Sequence, residues 1–355
     1  MSKTVTATSQ RSQFANLIVV WQKAHGRNDL PWQNTQDPYR VWLSEIMLQQ
    51  TQVVTVMGYF DRFLQRLPNV QALAAASLDD VMGLWSGLGY YSRARNLHRC
   101  AQVVVHDWGG AFPHTAQELQ SLPGIGPSTA AAISSLCFGE RVAILDANVK
   151  RVLTRVLGFD GDLALARQER YLWSAAAELL PKATNATIAM PRYTQGMMDL
   201  GATVCLPKKP MCTQCPVQSQ CVATFQGNPQ HYPVKTRKIK RSSQTVYLLW
   251  AHTERGDVFL SQRPAPGVWA GLFCLPWFDS ESALEQAVPE DWRERLEPAP
   301  PFLHVLTHKD LHLHPWRLRV DAGTAFDEMS GAWVSAQQWP NVGLPAPIRK
   351  ILSGY

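Results

Sequence analysis

The feature that most constrains this chain is a group of four cysteines in one short stretch, CLPKKPMCTQCPVQSQC (205–221). The spacing C-x6-C-x2-C-x5-C brings four thiols into a single loop, which indicates a metal or iron–sulfur site. A contiguous loop favours a 4Fe–4S cluster, and zinc is the alternative, because zinc sites more often contain two well-separated C-x2-C pairs. The predicted ligands are Cys205, Cys212, Cys215 and Cys221.

The composition indicates a folded protein of two or three domains with an excess of basic residues. The 355 residues are 46% hydrophobic and 17% charged, which suffices for full cores and does not suggest disorder. Lys and Arg number 34 against 28 Asp and Glu, which mildly favours a polyanionic partner. The N-terminus MSKTVTATSQRSQ lacks the apolar core of a signal peptide, and no apolar run is as long as a membrane span. We therefore expect a cytoplasmic protein, in which disulfides would poorly explain the cysteine group.

Hydrophobic periodicity changes along the chain and divides it into domains. Up to about residue 230 the apolar residues repeat at helical spacing, as in FANLIVVW (14–21), and Asp37 and Pro38 are typical of a helix start. A basic segment, VKTRKIKR (234–241), follows, and beyond it the period becomes two, as in VYLLW, DVFL and LHLHPWRLRV. We predict a helical domain over 1–233, a basic linker over 234–243, and a mostly β domain over 244–355.

A second motif, LPGIGPSTAAAI (122–133), predicts two helices joined by a tight turn. Gly124 and Gly126 permit the turn, and Pro127 suits the first position of the next helix. The free N–H groups at such a helix start bind anions, so the hairpin could contact a DNA phosphate without reading sequence. An ordinary turn between two helices is the alternative.

These motifs together resemble those of the helix-hairpin-helix DNA glycosylases of the endonuclease III superfamily. The segments LPWQ, VWLSEIMLQQTQV, LWSGLGYYSRARNL and MMDLGATVC resemble the adenine DNA glycosylases, the MutY family, within it. The resemblance covers about residues 14–230 closely and extends more loosely over the C-terminal domain. It implies a mainly α glycosylase core with a 4Fe–4S loop, followed by a C-terminal α+β domain like MutT and the Nudix fold.

The resemblance also implies a reaction, the removal of adenine mispaired with 8-oxoguanine or guanine in double-stranded DNA. Such chemistry needs one neutral and one ionised carboxyl group. Glu45 matches the acid, and its apolar neighbours should raise its pKa; without the family it would be an ordinary surface glutamate. Asp146, at an expected helix start that should favour its ionised form, matches the catalytic aspartate; alone it would be an N-cap. Asn148 matches the asparagine beside it.

Other residues take their expected roles from the same resemblance. The residues expected to contact DNA are Gln49, Gln50, Tyr90, Gly124, Gly126, Ser128 and Lys150, with Tyr90 as an aromatic wedge beside the 8-oxoguanine. Those expected to line the adenine pocket are Arg27, Trp32 and Asp199. Ser128 stands where bifunctional members carry a lysine, which implies base removal without strand cleavage, although Lys150 could trap some Schiff base.

The C-terminal domain is expected to help recognise 8-oxoguanine. GVWAGLFCLP (267–276) resembles the start of a Nudix fold, but the acidic R-E-x-x-E-E helix is absent downstream, which argues against nucleotide hydrolysis. Thr307 and His308 match the Ser-His pair of the family, with Lys309 and Asp310 expected to lengthen their loop.

The favoured function is thus a monofunctional adenine glycosylase, expected to be monomeric and to work at the bacterial nucleoid. An endonuclease III-like glycosylase/lyase is the rival within the class. A nucleotide-pool hydrolase with a helical accessory domain is the rival from another class.

Overall fold

The computed structural model describes residues 2–182, 184, 186–236, 240–321, 324, 326 and 329–354, with side chains from residue 13 onward. Arg237, Lys238 and Ile239 of the predicted basic linker lie outside the described residues. The chain forms two compact units, one of residues 1–74 and 99–237 and the other of residues 75–98 and 238–355. The second unit thus includes a helical segment that the sequence-based division assigned to the first domain.

The first unit is helical, and no strand occurs in its described residues. The predicted helix start at Asp37 is confirmed, because its carboxylate accepts a hydrogen bond from the Tyr39 N–H and Pro38 occupies the first position. The helices that contain a residue of this unit are α1 Ser2–His25, α2 Pro38–Leu48, α3 Val53–Arg66, α4 Val70–Ala75, α6 Ser92–Asp107, α7 Ala116–Leu119, α8 Pro127–Phe138, α9 Ala147–Leu157, α10 Ala166–Glu178, α11 Ala186–Thr203 and α12 Val222–Phe225.

The core of the first unit lies between α1, α8, α9 and α11. Each of these helices contributes buried apolar side chains, among them Ile18, Ala131, Val152 and Met190. Apolar area removed from water stabilises such a core by about 25 cal/mol per Å². Because α8 and α9 pack in this core, the positions of the turns that precede them are fixed as well. Those turns contain the hairpin glycines and Asp146.

Short 3-10 helices, Cys212–Gln214, Gln218–Gln220 and Pro229–His231, form the cysteine loop and the segment after it. No helix in the described part of the chain combines the length and apolar character needed to cross a membrane.

The second unit is a mixed β-sheet with helices on both faces. Its strands are β1 Ser242–His252, β2 Val258–Gln262, β3 Phe273–Cys274, β4 Trp277–Phe278, β5 Glu297–Pro298, β6 Phe302–Val305, β7 Lys309–Arg319 and β8 Ala332–Val334; its remaining helices are α5 Leu78–Trp85, α13 Glu281–Gln286 and α14 Ala346–Leu352, with 3-10 turns at Glu290–Arg295 and Trp339–Asn341.

Strands β1 and β7 are parallel, from Ser242 opposite Lys309 to His252 opposite Arg319, and the other strand pairs are antiparallel. Alternation along β1 places Leu248 in one core and Leu249 in another. Ile348 of α14 covers the first core and Leu284 of α13 the second. The α+β architecture expected for this part of the chain is thus confirmed.

The segment 75–98 is joined to the rest of this unit by hydrogen bonds, two of which meet at one carbonyl. The Ser86 hydroxyl and the Tyr91 hydroxyl donate to the Leu344 carbonyl over 2.7 Å and 3.0 Å. The Arg349 guanidinium donates to Ser86 Oγ over 2.9 Å. These contacts join the turn after α5 to the chain around α14.

Candidate functional site

Two carboxyl groups of the first unit influence each other. Glu45 lies on α2, between the buried residues Ser44 and Ile46 in the sequence. Burial raises its pKa to about 7, and the charge of Asp146 contributes to the rise. Glu45 is therefore largely protonated just below neutral pH, as the apolar sequence around it predicts.

Asp146 is the N-cap of α9. Its Oδ1 accepts from the Val149 N–H over 2.7 Å, and its Oδ2 accepts from Asn148 Nδ2 over 3.3 Å. Burial raises the pKa of this carboxyl group, while these hydrogen bonds and the Arg151 charge lower it. The helix contacts expected to favour the ionised form are therefore present, and desolvation opposes their effect on the pKa of Asp146.

Arg151 connects Asn148 to the chain of the cysteine loop. Its NH2 group donates to Asn148 Oδ1 over 2.9 Å and to the Gly201 carbonyl over 2.7 Å, and its Nε donates to the Cys205 carbonyl over 2.8 Å. Gly201 leaves room for this arrangement, since a Cβ there would lie 2.5 Å from Asn148 Cβ. The orientation of Asn148, and through it that of Asp146, depends on residues far away in the sequence.

The predicted hairpin is present as α7, a turn and α8. Thr115 caps α7, and Pro127 is the first residue of α8, after a turn in which Gly124 has φ +77°. At the start of α8, Ser128 Oγ accepts from the Leu145 N–H over 3.3 Å. Ser128 thereby joins the hairpin to the residue that precedes Asp146.

Gln49 and Gln50 follow directly after α2. Gln49 Nε2 donates to Thr129 Oγ1 over 3.5 Å. Gln50 is exposed and has φ +57°, a left-handed conformation that is costly for a residue with a Cβ and is often found at functional sites.

A cavity of about 620 Å³ lies beside α2. Its wall includes Val41, one helical turn before Glu45, and Trp32, whose ring packs edge-on against Phe60 at 5.4 Å. Amide side chains are prominent in its lining, which comprises Gln22, Asn28, Trp32, Gln33, Asn34, Thr35, Gln36, Val41, Leu136, Ile188, Pro191, Arg192 and Gln195. Gln33 Nε2 is buried there without a hydrogen-bond partner among the described residues.

Of the three residues expected in an adenine pocket, only Trp32 lines this cavity. Arg27 and Asp199 instead form an ion pair, Nε to Oδ1 at 2.8 Å, and the Asp199 side chain is fully buried. Asp199 Oδ1 also accepts from Gln195 Nε2 over 2.9 Å. Asp199 therefore orients Gln195. Gln195, Gln33 and Asn28 were not predicted from the sequence, because isolated amides in loops and helices carry no motif.

Lys150 lies on α9, one turn after Asp146. Its ammonium group forms an ion pair with the Glu169 carboxylate of α10, and both side chains are partly exposed. This partner, too, was not evident from the sequence.

The four cysteines of the loop line one small cavity together with Arg155. Burial raises the pKa of Cys215 to about 12, and the charges of Cys205, Cys221 and Cys212 contribute to the rise, as expected for thiols that are close to one another. Arg155 is almost fully buried, and its NH1 group donates to Cys205 Sγ over 3.3 Å.

No group of three or more His, Cys, Asp or Glu side chains in the described residues could hold a single metal ion. A four-iron cluster spreads its thiolate ligands further apart than one ion does. The four thiols, with a buried guanidinium beside one of them, fit a group that is held by thiolates.

The residues expected to contact 8-oxoguanine meet in the second unit. The Tyr90 hydroxyl and Thr307 Oγ1 are hydrogen-bonded at 2.8 Å. Both residues line a cavity of about 520 Å³, as do His308, His304 and Trp269. Tyr90 is 42% exposed and has φ +49°.

The expected lengthening of the Thr307 loop is wrong. Lys309 and Asp310 are the first residues of β7, and Val305 of β6 lies opposite Asp310. The Leu306 N–H donates to the Lys309 carbonyl over 2.8 Å, which closes a turn of only Thr307 and His308. Arg241 stabilises this turn, because it donates to the Thr307 carbonyl and forms an ion pair with Asp310.

Comparison with known proteins agrees with this architecture. Residues 43–178 match the family of HhH-GPD superfamily base excision DNA repair proteins, and residues 246–354 match the NUDIX domain. A structure described as a thermostable thymine-DNA glycosylase superposes with a TM-score of 0.55 and 29% identity, over 62% of this chain and 99% of that one. A non-covalent endonuclease III–DNA complex, 20% identical over 62% of this chain and 97% of that one, has the same fold at a TM-score of 0.50.

The fold and the two family matches thus define a base excision DNA repair protein of the HhH-GPD superfamily with a C-terminal NUDIX domain. Relatives that align with almost the whole chain identify the family within this class. The adenine DNA glycosylase of Buchnera aphidicola is 36% identical over 96% of this chain and 97% of its own length, and that of Homo sapiens is 32% identical over 96% and 74%. The chain belongs to the adenine DNA glycosylase family.

Proposed function

We propose that this chain removes adenine from double-stranded DNA where adenine is mispaired with 8-oxoguanine or guanine. The observation that carries the proposal is Glu45, a carboxyl group whose pKa is raised to about 7 by burial and by Asp146. A general acid is most effective when its pKa lies near the working pH.

In the proposed reaction Glu45 transfers its proton to a ring nitrogen of adenine. The N-glycosidic bond then breaks, its electron pair leaves with the base, and positive charge develops on the sugar. Asp146 in its ionised form stabilises that charge, and Asn148 and the Val149 N–H orient its two oxygens. Water adds to the sugar C1′ and loses a proton, so the products are free adenine and an abasic site.

The cavity beside α2 is the proposed site of the extruded adenine. A flipped base is held by stacking and by hydrogen bonds to its edge. Trp32 supplies an aromatic ring, and the Asn28, Gln33 and Gln195 amides have the paired donor and acceptor that suit adenine. The unpaired Gln33 Nε2 supports this proposal, because a base would supply the missing acceptor.

The hairpin and the residues after α2 are the proposed DNA contacts. Gly124, Gly126 and Ser128 surround a helix start suited to a phosphate, and Gln49 and Gln50 would enter the duplex at the mispair. Lys150 would face DNA only in part, because Glu169 holds its ammonium group.

In the second unit, Tyr90 is the proposed wedge, and Thr307 and His308 are the proposed contacts to 8-oxoguanine. The hydrogen bond between Tyr90 and Thr307 supports a joint role for them. Stacking on an aromatic side chain offsets part of the cost of opening the duplex.

A 4Fe–4S cluster held by Cys205, Cys212, Cys215 and Cys221 is the proposed cofactor. When bound, it would close the loop and carry no step of the base removal. Arg155 would donate a charge-assisted hydrogen bond to one of its thiolates.

We further propose that the protein acts as a monomer at the nucleoid in the bacterial cytoplasm, with the helical and the Nudix-like parts as separate folding domains. Ser128 has no amine to form a Schiff base, which favours a monofunctional enzyme over the glycosylase/lyase alternative.

The test uses duplexes with A:8-oxoguanine, A:G and A:T pairs. We expect adenine release from the first two only, with strand breaks that require added alkali. If the same amount of strand breakage occurred without alkali as with it, the glycosylase/lyase alternative would be favoured. Hydrolysis of 8-oxo-dGTP without adenine release would overturn the proposal.

A further inference from the structure

The loop that presents Tyr90 is organised by one buried guanidinium, that of Arg93. Arg93 is 8% exposed and stands on the first turn of α6. Its NH2 group donates to the Leu88 carbonyl over 3.2 Å and to the Gly89 carbonyl over 3.1 Å. Both carbonyls belong to the turn that precedes Tyr90.

The same guanidinium contacts two aromatic rings. Its carbon lies 5.3 Å from the centre of the Tyr90 ring and 5.4 Å from that of Trp85, within the range of cation–π attraction. Trp85 also donates from Nε1 to the Gly89 carbonyl over 3.2 Å. Burial lowers the pKa of Arg93 to about 10, so the group remains charged at neutral pH.

Tyr90 needs this support because its backbone is strained. A non-glycine residue with positive φ, here +49°, persists only where its surroundings hold it. Gly87 and Gly89, at φ +102° and +73°, adopt such angles without a Cβ, but Tyr90 has one. Tyr90 is also exposed, so the turn presents its ring to the surface.

We propose that Arg93 is a positioning residue for Tyr90, which holds the wedge in its strained, outward conformation before DNA binds. This inference rests on the proposed function, in which Tyr90 enters the duplex. Arg93 itself is too buried to pair with a phosphate and acts through the turn and the ring. Preorganisation of this kind lowers the cost of ordering the wedge on binding.

The test is a double-mutant cycle of Arg93→Met with Tyr90→Ser, on full-length protein and A:8-oxoguanine duplex. Fluorescence of 2-aminopurine beside the 8-oxoguanine reports insertion of the wedge, and single-turnover adenine release reports excision. We expect Arg93→Met to weaken both by about 10-fold when Tyr90 is present. In the Tyr90→Ser background it should change neither.

Arg95→Met is the matched control. Arg95 lies on the same helix, but its NH1 group donates to the Ala270 carbonyl and not to the Tyr90 turn. Arg95→Met should therefore change excision and 2-aminopurine fluorescence by the same factor with and without Tyr90. The salt dependence of binding should be unchanged by Arg93→Met, because no phosphate contact is lost.

The proposal is overturned if Arg93→Met weakens excision equally in both backgrounds, since Arg93 would then be a general structural residue. If Arg93→Met does not fold, the same cycle is run with Arg93→Lys, which retains the charge but not the forked donors. A loss that depends on Tyr90 then supports the proposal, and an equal loss in both backgrounds overturns it. A parent protein that releases no adenine would refute the proposed function instead, and 2-aminopurine fluorescence would still test the wedge.

Discussion

Replacing Glu45 by glutamine should have opposite effects on activity and stability. The folded chain raises the pKa of this carboxyl group from 4.5 to about 7. The folded state therefore binds the proton more tightly than the unfolded chain, and Glu45 lowers the free energy of unfolding as pH rises from about 4.5 to 7. Above pH 7 this loss of stability is complete. The rise in the pKa of Glu45 corresponds to about 3 kcal/mol in the free energy of unfolding.

Glutamine resembles the protonated side chain and does not ionise. Glu45→Gln should thus increase the free energy of unfolding by about 3 kcal/mol at pH 8 and by less than about 1 kcal/mol at pH 5. Adenine release should fall by roughly 10²–10⁴-fold while mispair binding is retained, because only the proton donor is lost. In the parent protein, release at pH 8 should be about one tenth of that at pH 6, as the protonated fraction falls.

Urea unfolding at pH 5 and pH 8 and single-turnover excision across the same range provide the measurements. Glu178→Gln is a suitable control, since Glu178 is an exposed glutamate at the end of α10. A stability gain that is equal at both pH values would refute the reasoning. A parallel loss of binding and excision would instead make Glu45 a structural residue.

Three further predictions concern the loop, the hairpin and the turn. The purified protein should contain about four iron atoms per chain, and Cys212→Ser should abolish the visible absorption of the cluster; stoichiometric zinc without iron would contradict this. Ser128→Lys in a Lys150→Ala background should form a borohydride-trapped adduct with A:8-oxoguanine duplex, because a lysine at a helix start is disfavoured as an ammonium and so partly nucleophilic; efficient adenine release with no adduct would oppose it. Thr307→Val should reduce the preference for 8-oxoguanine over guanine by up to about 1–3 kcal/mol, measured as a ratio of excision rates, and an unchanged ratio would exclude Thr307 from recognition.

The sequence by itself determined the features that depend on neighbours a few residues away. The caps at Asp37 and Asp146, the hairpin from Thr115 to α8, and the four-cysteine loop all follow from local hydrogen bonding and spacing. The raised pKa of Glu45 was predictable for a related reason, since most of the residues near it in α2 are apolar and buried. Strands β1 and β2 were likewise evident as short apolar segments on either side of a turn.

Only the tertiary structure decided which polar groups are partners. Arg27 and Asp199 are 172 residues apart, and Asp199 accepts hydrogen bonds from both Arg27 and Gln195. Glu169 holds Lys150, although nothing near either residue in the sequence indicates the pair. Hydrogen bonds and ion pairs act over a few ångströms in space, so their partners depend on how distant segments pack. The net pKa of Asp146 is decided in the same way, because desolvation depends on every element that surrounds the carboxyl group.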